Sequence, residues 1–381
     1  MRLLLSAGEV SGDQHGAALL SALKARVPRL EAVGLGGDRC EAEGMRLLAH
    51  QKDLAIIGVV EALAKIRFAR RLLRVLTSAA TGEKVDAAVL IDSPDFHLPL
   101  ARRLAKAGVP VVFYVSPQVW AWRSGRAKTL ARLGRGILTL FRFEKSWYDA
   151  RGLGGNVTWV GHPLVDEAQR ELASPVAGPA GGRRRIVLMP GSRAGEIRRL
   201  LPLLRDAAAL LARRRDDLDV VLVRADSVPE GLLHEIAGDE LPRWTVVSGP
   251  HLALLAASDV LVVASGTATV EGLLAGLPMV VVYRVAAVSY LLGKLLIKVP
   301  NVAMANILSD PGDGSQTVPE LIQGAATPER IAAEVERFLS DPARAAEARR
   351  RLEIGRAELG APGAPGRTAD AILALVGGGR S

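Results

Sequence analysis

Cysteine is almost missing from this chain. One residue, Cys40, in a sequence of 381 excludes an intrachain disulfide and a cysteine-built zinc site. A chain without disulfides fits a reducing cytosol. Aromatic residues make up only 4% of the sequence, while 49% of it is hydrophobic, so Ala, Leu and Val must build the core. No stretch approaches the roughly 18 uninterrupted apolar residues of a membrane-spanning helix. The longest candidate, residues 285–308, is broken by Lys294, Lys298, Pro300 and Asn301. The apolar run in "MRLLLSAGEV" is too short for a signal peptide and reads as a first strand. His15, His97 and His162 lie far apart without HxH or HExxH spacing, so no metal site is expected. Neither GxGxxG nor GxxxxGK[ST] occurs, which argues against NAD-dependent and ATP-hydrolysing chemistry.

What is present is a repeated grammar. The chain is too long for one comfortable core. "RLLLSAGEVSGD" runs from a strand into a small-residue loop, and "HGAALLSALKARV" continues as an amphipathic helix. "AAVLIDSPDFH" and "LPLARRLAKAG" repeat the pattern, and "VPVVFYVSP", "RGILTLF" and "VTWVGHP" add strands. After the Pro/Gly/Ala-rich stretch 173–185 the grammar restarts with "RIVLMPGSRAGEIRRLL". Alternating strands and helices predict an α/β protein with two Rossmann-like, doubly wound parallel sheets. The expected division is 1–172, a linker at 173–185, a second domain at 186–345 and a helical tail at 346–381. That tail either returns to the first domain or exchanges with a second subunit, which would make a homodimer. Formal net charge is +9, which favours anionic partners.

Three loops follow strands and open helices: "AGEVSGD" (7–13), "PGSR" (190–193) and "SGTATVEG" (265–272). Free backbone N–H groups and the helix dipole favour an anion there. Acids sit at the same edges. Glu9 follows the first strand, and Asp92 and Asp95 flank "SP" after "AAVLI", where a carboxylate can serve as a general base. Each of these also has an ordinary reading as a cap or an ion-pair partner.

Taken together, the motifs resemble the lipid A disaccharide synthase family. The blocks are "AGEVSGDQHGA", "LAIIGVVEAL", "LIDSPDF", "YVSPQVWAWRSGR", "VGHPL", "PGSRAGEI", "ASGTATVEGLLAGLPMVVVYR", "PN" and "VPELIQ", in the family's order over roughly residues 1–325. The "SPQVWAW" block is the most specific of them. The resemblance implies a GT-B fold, its two domains facing across a cleft. It also implies an inverting, cofactor-free and metal-free transfer of 2,3-diacylglucosamine from UDP-2,3-diacylglucosamine to 2,3-diacylglucosamine 1-phosphate. The products would be a β-1,6-linked tetraacyl disaccharide 1-phosphate and UDP. The implied location is cytoplasmic, peripheral on the inner membrane of a Gram-negative bacterium.

Carried onto this sequence, the resemblance implies Asp92 as base, with Glu9 as rival or partner, and Arg193 as a catalytic cation. Gly191, Ser192, Arg193, Ser265, Gly266, Thr267, Glu271, Asn301, Glu320 and Gln323 fall on the donor side, with Glu271 at the ribose. Ser11, Gly12, Asp13, Asp95, Trp120, Trp122, Arg123 and Arg126 fall on the acceptor side. The basic amphipathic stretch at 54–76 offers Ile66, Arg67, Phe68, Arg70, Arg71 and Leu72 to a membrane surface. Where the family has a proline this chain has Arg142, in "LFRFE". Two other readings share this grammar: another UDP-sugar transferase or epimerase, and a non-catalytic peripheral lipid-binding protein. Nucleic-acid binding is disfavoured, because no recognised motif accompanies the arginines.

Overall fold

A computed structural model of the chain describes residues 1–55, 62–285, 299–310 and 312–377. Short, wholly apolar strands leave no face for water, so they are stable only in a sheet covered on both sides. Ala87–Ile91 is such a strand, and all of it is buried.

The first sheet contains β1 (Arg2–Ala7), β2 (Glu31–Gly36), β3 (Arg46–His50), β4 (Ala87–Ile91), β5 (Val111–Tyr114), β6 (Gly136–Thr139) and β7 (Val157–Trp159). They pair in parallel in the order β3-β2-β1-β4-β5-β6-β7. The second contains β8 (Arg184–Met189), β9 (Leu218–Arg224), β10 (Thr245–Ser248), β11 (Val260–Ala264), β12 (Met279–Tyr283) and β13 (Glu320–Ile322). It is also parallel, in the order β10-β9-β8-β11-β12-β13.

Each order reverses direction once, between β1 and β4 in the first sheet and between β8 and β11 in the second. Connections leave the two strands of such a pair toward opposite faces, which opens a crevice at their carboxyl ends. Glu9 and Asp92 follow β1 and β4, while "PGSR" and "SGT" follow β8 and β11. The motif loops therefore sit in pairs at the two reversal points.

In the first sheet's core, the helices Ala62–Gly82 and Pro94–Lys106 place Leu72, Leu73, Leu76, Leu100 and Leu104 against Leu4, Leu35 and Leu90. This corrects one expectation. Leu72 was assigned to a membrane surface but is only 4% exposed, because the helix turns its apolar stripe toward the sheet. Phe68 is half-buried against the same core, and Arg67, Arg70, Arg71 and Arg74 form the outer face. The Ile66 side chain, residues 56–61 of the expected apolar stretch and residues 286–298 of the longest apolar window lie outside the described residues. Among the described residues no helix is long and apolar enough to cross a membrane.

The chain divides into two compact units. One is Met1–Pro163 with the stretch from Leu359 onward, and the other is Leu164–Glu358. Composition places the junction at 173–185, whereas the structure places it after Pro163. The helix Leu164–Leu172 packs on Leu252–Ala256 of the second unit, and Glu171 accepts the Leu252 N–H at 2.7 Å. The stretch 173–185 is instead an exposed connection within that unit. Later, the chain crosses back. His162 N–H donates to Leu359 O at 2.9 Å, and Arg367 Nε donates to Val160 O at 2.8 Å. Helix Ala364–Gly377 then packs on helix Val10–Lys24 and on β6, where a Cβ at Gly136 would collide with Leu375.

Ile372 in this returning helix is fully buried. Ile372→Ala should cost the first unit about 2–5 kcal/mol, measured by urea denaturation. A loss near zero would mean the helix adds no core.

Candidate functional site

Among the described residues, the non-glycine positions with positive φ are Lys84, Asp92, Ser93, Val115, Arg123 and Gln323. Such conformations cost energy and persist only where the surroundings enforce them. All but Lys84 fall in or beside residues singled out by their motifs.

At the end of β4, Asp92 and Ser93 are consecutive left-handed residues with φ of 51° and 43°. The enforcing group is His97. Its Nδ1 lies 2.6 Å from the Asp92 carbonyl oxygen, and its Nε2 lies 2.8 Å from Ser6 Oγ in β1. A carbonyl only accepts, so Nδ1 carries the hydrogen and Nε2 accepts from the Ser6 hydroxyl. Burial pushes the imidazole down to about 4, against the opposing pull of the Asp92 carbonyl, so the ring is neutral. The Asp92 N–H is also held, by Tyr114 O at 3.1 Å. The half-buried Asp92 thus stands on a braced backbone.

The loop after β5 carries its own strain, at Val115 (φ 59°) and Arg123 (φ 51°). Its two tryptophans differ in role. Trp120 is half-buried, meets Phe143 edge-on at 4.9 Å and donates from Nε1 to Glu144 Oε1 at 3.2 Å. Trp122 is a platform, with the Arg123 and Arg126 guanidiniums at 4.7 and 5.7 Å from its ring centre. Both arginines also bridge the exposed Asp95, at 3.1 and 2.5 Å. Two cations sharing one carboxylate leave a positive excess beside a shallow pocket lined by Pro94, Pro117, Gln118 and Trp122.

Glu144 was not singled out by the sequence reading, which noted only its neighbour Arg142. Its carboxylate is 3% exposed, and Oε2 accepts the Phe141 N–H at 3.2 Å. Burial pushes this carboxyl up to about 7; N–H donors including Phe141 and Trp120 oppose the rise, and the charge of Asp92 adds to it. The available signal was an acid in the first turn of a helix that opens directly after β6.

Asp13, assigned to the acceptor, is corrected. It is 2% exposed and accepts backbone N–H groups of Gly37 at 2.7 Å, Cys40 at 3.1 Å and Arg39 at 3.1 Å. It therefore anchors the loop after β2. Gly12 is buried with Ala7 and Ile91 as its nearest neighbours, Ser11 is half-buried, and Glu9 is exposed at the start of the helix. His15 and His162 meet edge-on at 5.7 Å. Burial lowers both, His15 to about 4, so they are neutral core rings.

In the second unit, Gly191 has a φ of 112°, and a Cβ there would meet Glu196 Oε2 at 2.5 Å. Glu196 accepts the N–H groups of Ser192 at 3.1 Å and Arg193 at 3.2 Å, and its other oxygen pairs with Arg193 Nη1 at 3.0 Å. An internal carboxylate thus occupies the place expected for an anion. The neighbouring loop is open: Gly266 and Thr267 are exposed, and a Cβ on Gly266 would meet nothing within 4 Å. Glu271 accepts from His251 Nε2 at 3.1 Å. Asn301 is 2% exposed, and its Nδ2 has no hydrogen-bond partner among the described residues.

Glu320 and Gln323, expected on the donor side, are half-buried and hydrogen-bonded within the second unit. Glu320 accepts the N–H groups of Val302 at 2.9 Å and Ala303 at 3.0 Å, and Asn306 Nδ2 at 2.8 Å. Gln323 clamps both backbone groups of Val285, at 3.1 and 3.0 Å. Both side chains hold loops of the second unit.

Comparison with known proteins decides among the readings. The sequence pattern described as lipid-A-disaccharide synthetase matches residues 3–361. A lipid-A-disaccharide synthase of Syntrophus aciditrophicus is 40% identical over 379 residues, covering 98% of this chain and 97% of that protein. That of Myxococcus xanthus is 41% identical over 388 residues, covering 100% and 98%. The chain belongs to the lipid-A-disaccharide synthase family. Lipid-A-disaccharide synthases are glycosyltransferases, and the two parallel sheets are those of the GT-B fold. A UDP-GlcNAc 2-epimerase from Neisseria meningitidis superposes with a TM-score of 0.67 at 12% identity, covering 98% of this chain and 100% of that one. A calicheamicin glycosyltransferase gives 0.62 at 15% identity, covering 100% and 99%. At these identities both show the fold alone.

The Glu144 carboxyl tests the geometry of the first unit. Burial holds it at about 7 in the folded chain, above its ordinary value of 4.5. Its contribution to stability is therefore fully present below about pH 4.5 and lost as pH rises through about 7. Between pH 5 and 8 the wild type should lose more Tm than Glu144→Gln. Equal losses would show that Glu144 ionises as readily in the native state as in the unfolded chain.

Proposed function

We propose that this chain transfers 2,3-diacylglucosamine from its UDP donor to the 6-hydroxyl of 2,3-diacylglucosamine 1-phosphate, inverting the anomeric carbon. The observation that carries this reading is the braced elbow at Asp92. It presents a carboxylate at the carboxyl end of β4, at the reversal point of the first sheet. In this reading Asp92 accepts the proton of the acceptor hydroxyl. The hydroxyl oxygen forms the new bond to C1 of the donor sugar, and the C1–O bond to the diphosphate breaks. UDP leaves with the electron pair.

Developing charge on the leaving diphosphate needs donors already in place. The exposed Gly266–Thr267 loop supplies backbone N–H groups, Arg193 supplies a cation, and Glu271 receives the ribose. Asn301 offers its buried amide N–H groups, which have no partner among the described residues. The Neisseria epimerase that shares the fold is bound to UDP-GlcNAc, so this fold is one that accommodates a UDP-sugar. On the acceptor side, Trp122 with Arg123 and Arg126 suits a sugar carrying a phosphate. Arginine forks match phosphate oxygens, and Asp95 holds the pair ready. Glu9 is the second carboxylate at this edge.

Acylated substrates reside in a bilayer. The outer face of helix Ala62–Gly82, with Arg67, Arg70, Arg71 and Arg74, is suited to the anionic surface of the inner membrane, approached from the cytoplasm.

Acceptor-dependent UDP release from detergent-dispersed substrates tests the transfer. Asp92→Asn should lower kcat by about a hundredfold to ten-thousandfold. Arg193→Ala should lower it by about a hundredfold. Full turnover in Asp92→Asn would move the base to Glu9 or elsewhere, and no turnover by folded wild type would remove the reading. Changing Arg67, Arg70, Arg71 and Arg74 together to Glu should abolish cosedimentation with vesicles containing anionic lipid. Unchanged binding would place the membrane contact elsewhere.

A further inference from the structure

His251 has no place in the scheme above, and no motif pointed to it. It follows β10 and immediately precedes the helix Leu252–Ala256. Its Nδ1 lies 2.8 Å from Gly249 O, and its Nε2 lies 3.1 Å from Glu271 Oε2. A carbonyl oxygen has no hydrogen to give, and neither has an ionised carboxylate. The ring must then donate from both nitrogens, which makes it an imidazolium. The two side chains are only 18% and 19% exposed, so water competes weakly for this pair.

Two helices bring charge to the ring. The helix Ala268–Leu274 carries Glu271, and the helix Leu164–Leu172 carries Glu171. Burial works against a charged imidazole here. The hydrogen bond and charge of Glu271 outweigh it, helped by the Gly249 carbonyl and Glu171, and hold the group at about 9. His251 is not needed to cap its helix, because Glu171 already accepts the Leu252 N–H at 2.7 Å.

We propose that His251 is a positioning residue of the donor site: a fixed imidazolium that orients the Glu271 carboxylate toward the ribose of a nucleoside diphosphate and offsets its charge. The inference rests on the assignment of Glu271 to the donor ribose. Glu271 stands in the first turn of the helix opened by the Ser265-Gly266-Thr267 loop. A bare carboxylate so near a bound diphosphate would repel it, and one oxygen pinned by His251 removes both the repulsion and the freedom of rotation.

The test uses the full chain and UDP as probe. The His251 imidazole, followed by its ring-proton NMR signal, should titrate near pH 9 in wild type. In Glu271→Gln it should fall below about 7, toward its unperturbed value. By calorimetry at pH 7.5, His251→Ala should bind UDP about tenfold more weakly, the expected cost of one charge-assisted hydrogen bond. His251→Gln, which keeps a donor without the charge, should fall between the two. In turnover, His251→Ala should raise the donor KM with little change in kcat, a split that general unfolding would not give.

A wild-type titration near 6.5 would overturn the proposal. Weakened UDP binding in Glu271→Gln, with both His251 variants at wild-type affinity, would overturn it while leaving the ribose assignment standing. Wild-type affinity in Glu271→Gln would overturn that assignment, and the proposal with it.

Discussion

The hydrogen-bonded run from Ser6 through His97 to the Asp92 carbonyl is the constraint on which the elbow after β4 depends. It links β1 to the turn after β4 across the reversal point of the sheet. Left to itself, a pair of consecutive non-glycine residues in the left-handed region would relax toward an extended or helical conformation. A neutral, buried imidazole with a fixed tautomer prevents that by giving the carbonyl one donor from one direction. The Asp92 backbone is thus held at both its carbonyl and its N–H, by His97 and by Tyr114. Val115 and Arg123 repeat the theme one strand away, in the loop that carries both tryptophans.

The loops after β8 and β11 present different solutions to the same problem. A turn built to receive an anion has N–H groups that must be satisfied when none is bound. At 190–193 the chain uses its own Glu196, which accepts two of those hydrogens and pairs with Arg193. At 265–267 the loop stays open to water instead, with Gly266 and Thr267 exposed. One loop is self-satisfied and the other solvated, so a diphosphate would meet an internal competitor at the first and only solvent at the second.

Much of this was legible in the residues. Wholly apolar strands alternating with amphipathic helices specify covered parallel sheets, and the loops after β1, β4, β8 and β11 announce themselves by small residues and acids. What was not legible was the destination of individual carboxylates. Asp13 reads as a ligand-facing acid, yet it is buried and taken up by backbone N–H groups of a loop the local sequence does not specify. His251 was silent for the same reason: its partner lies 20 residues further on, and only the packing of two helices joins them. The junction at Pro163 was missed because a compositional shift marks loops rather than unit boundaries, and 173–185 is a loop inside the second unit. Leu72 shows the limit of helical spacing, which names an apolar stripe without saying whether protein or lipid covers it.

The return of the chain at Leu359 also orders events in time. During synthesis the second unit, Leu164–Glu358, is complete as soon as its last residue leaves the ribosome. The first unit at that point still lacks the helix Ala364–Gly377, which packs on β6 and on helix Val10–Lys24. Its closure waits on contacts between residues such as Arg26 and Asp370, 344 positions apart. Contacts that distant are slow to form. The part of the first unit that precedes Leu164 therefore acquires its last helix only after the whole second unit has been made.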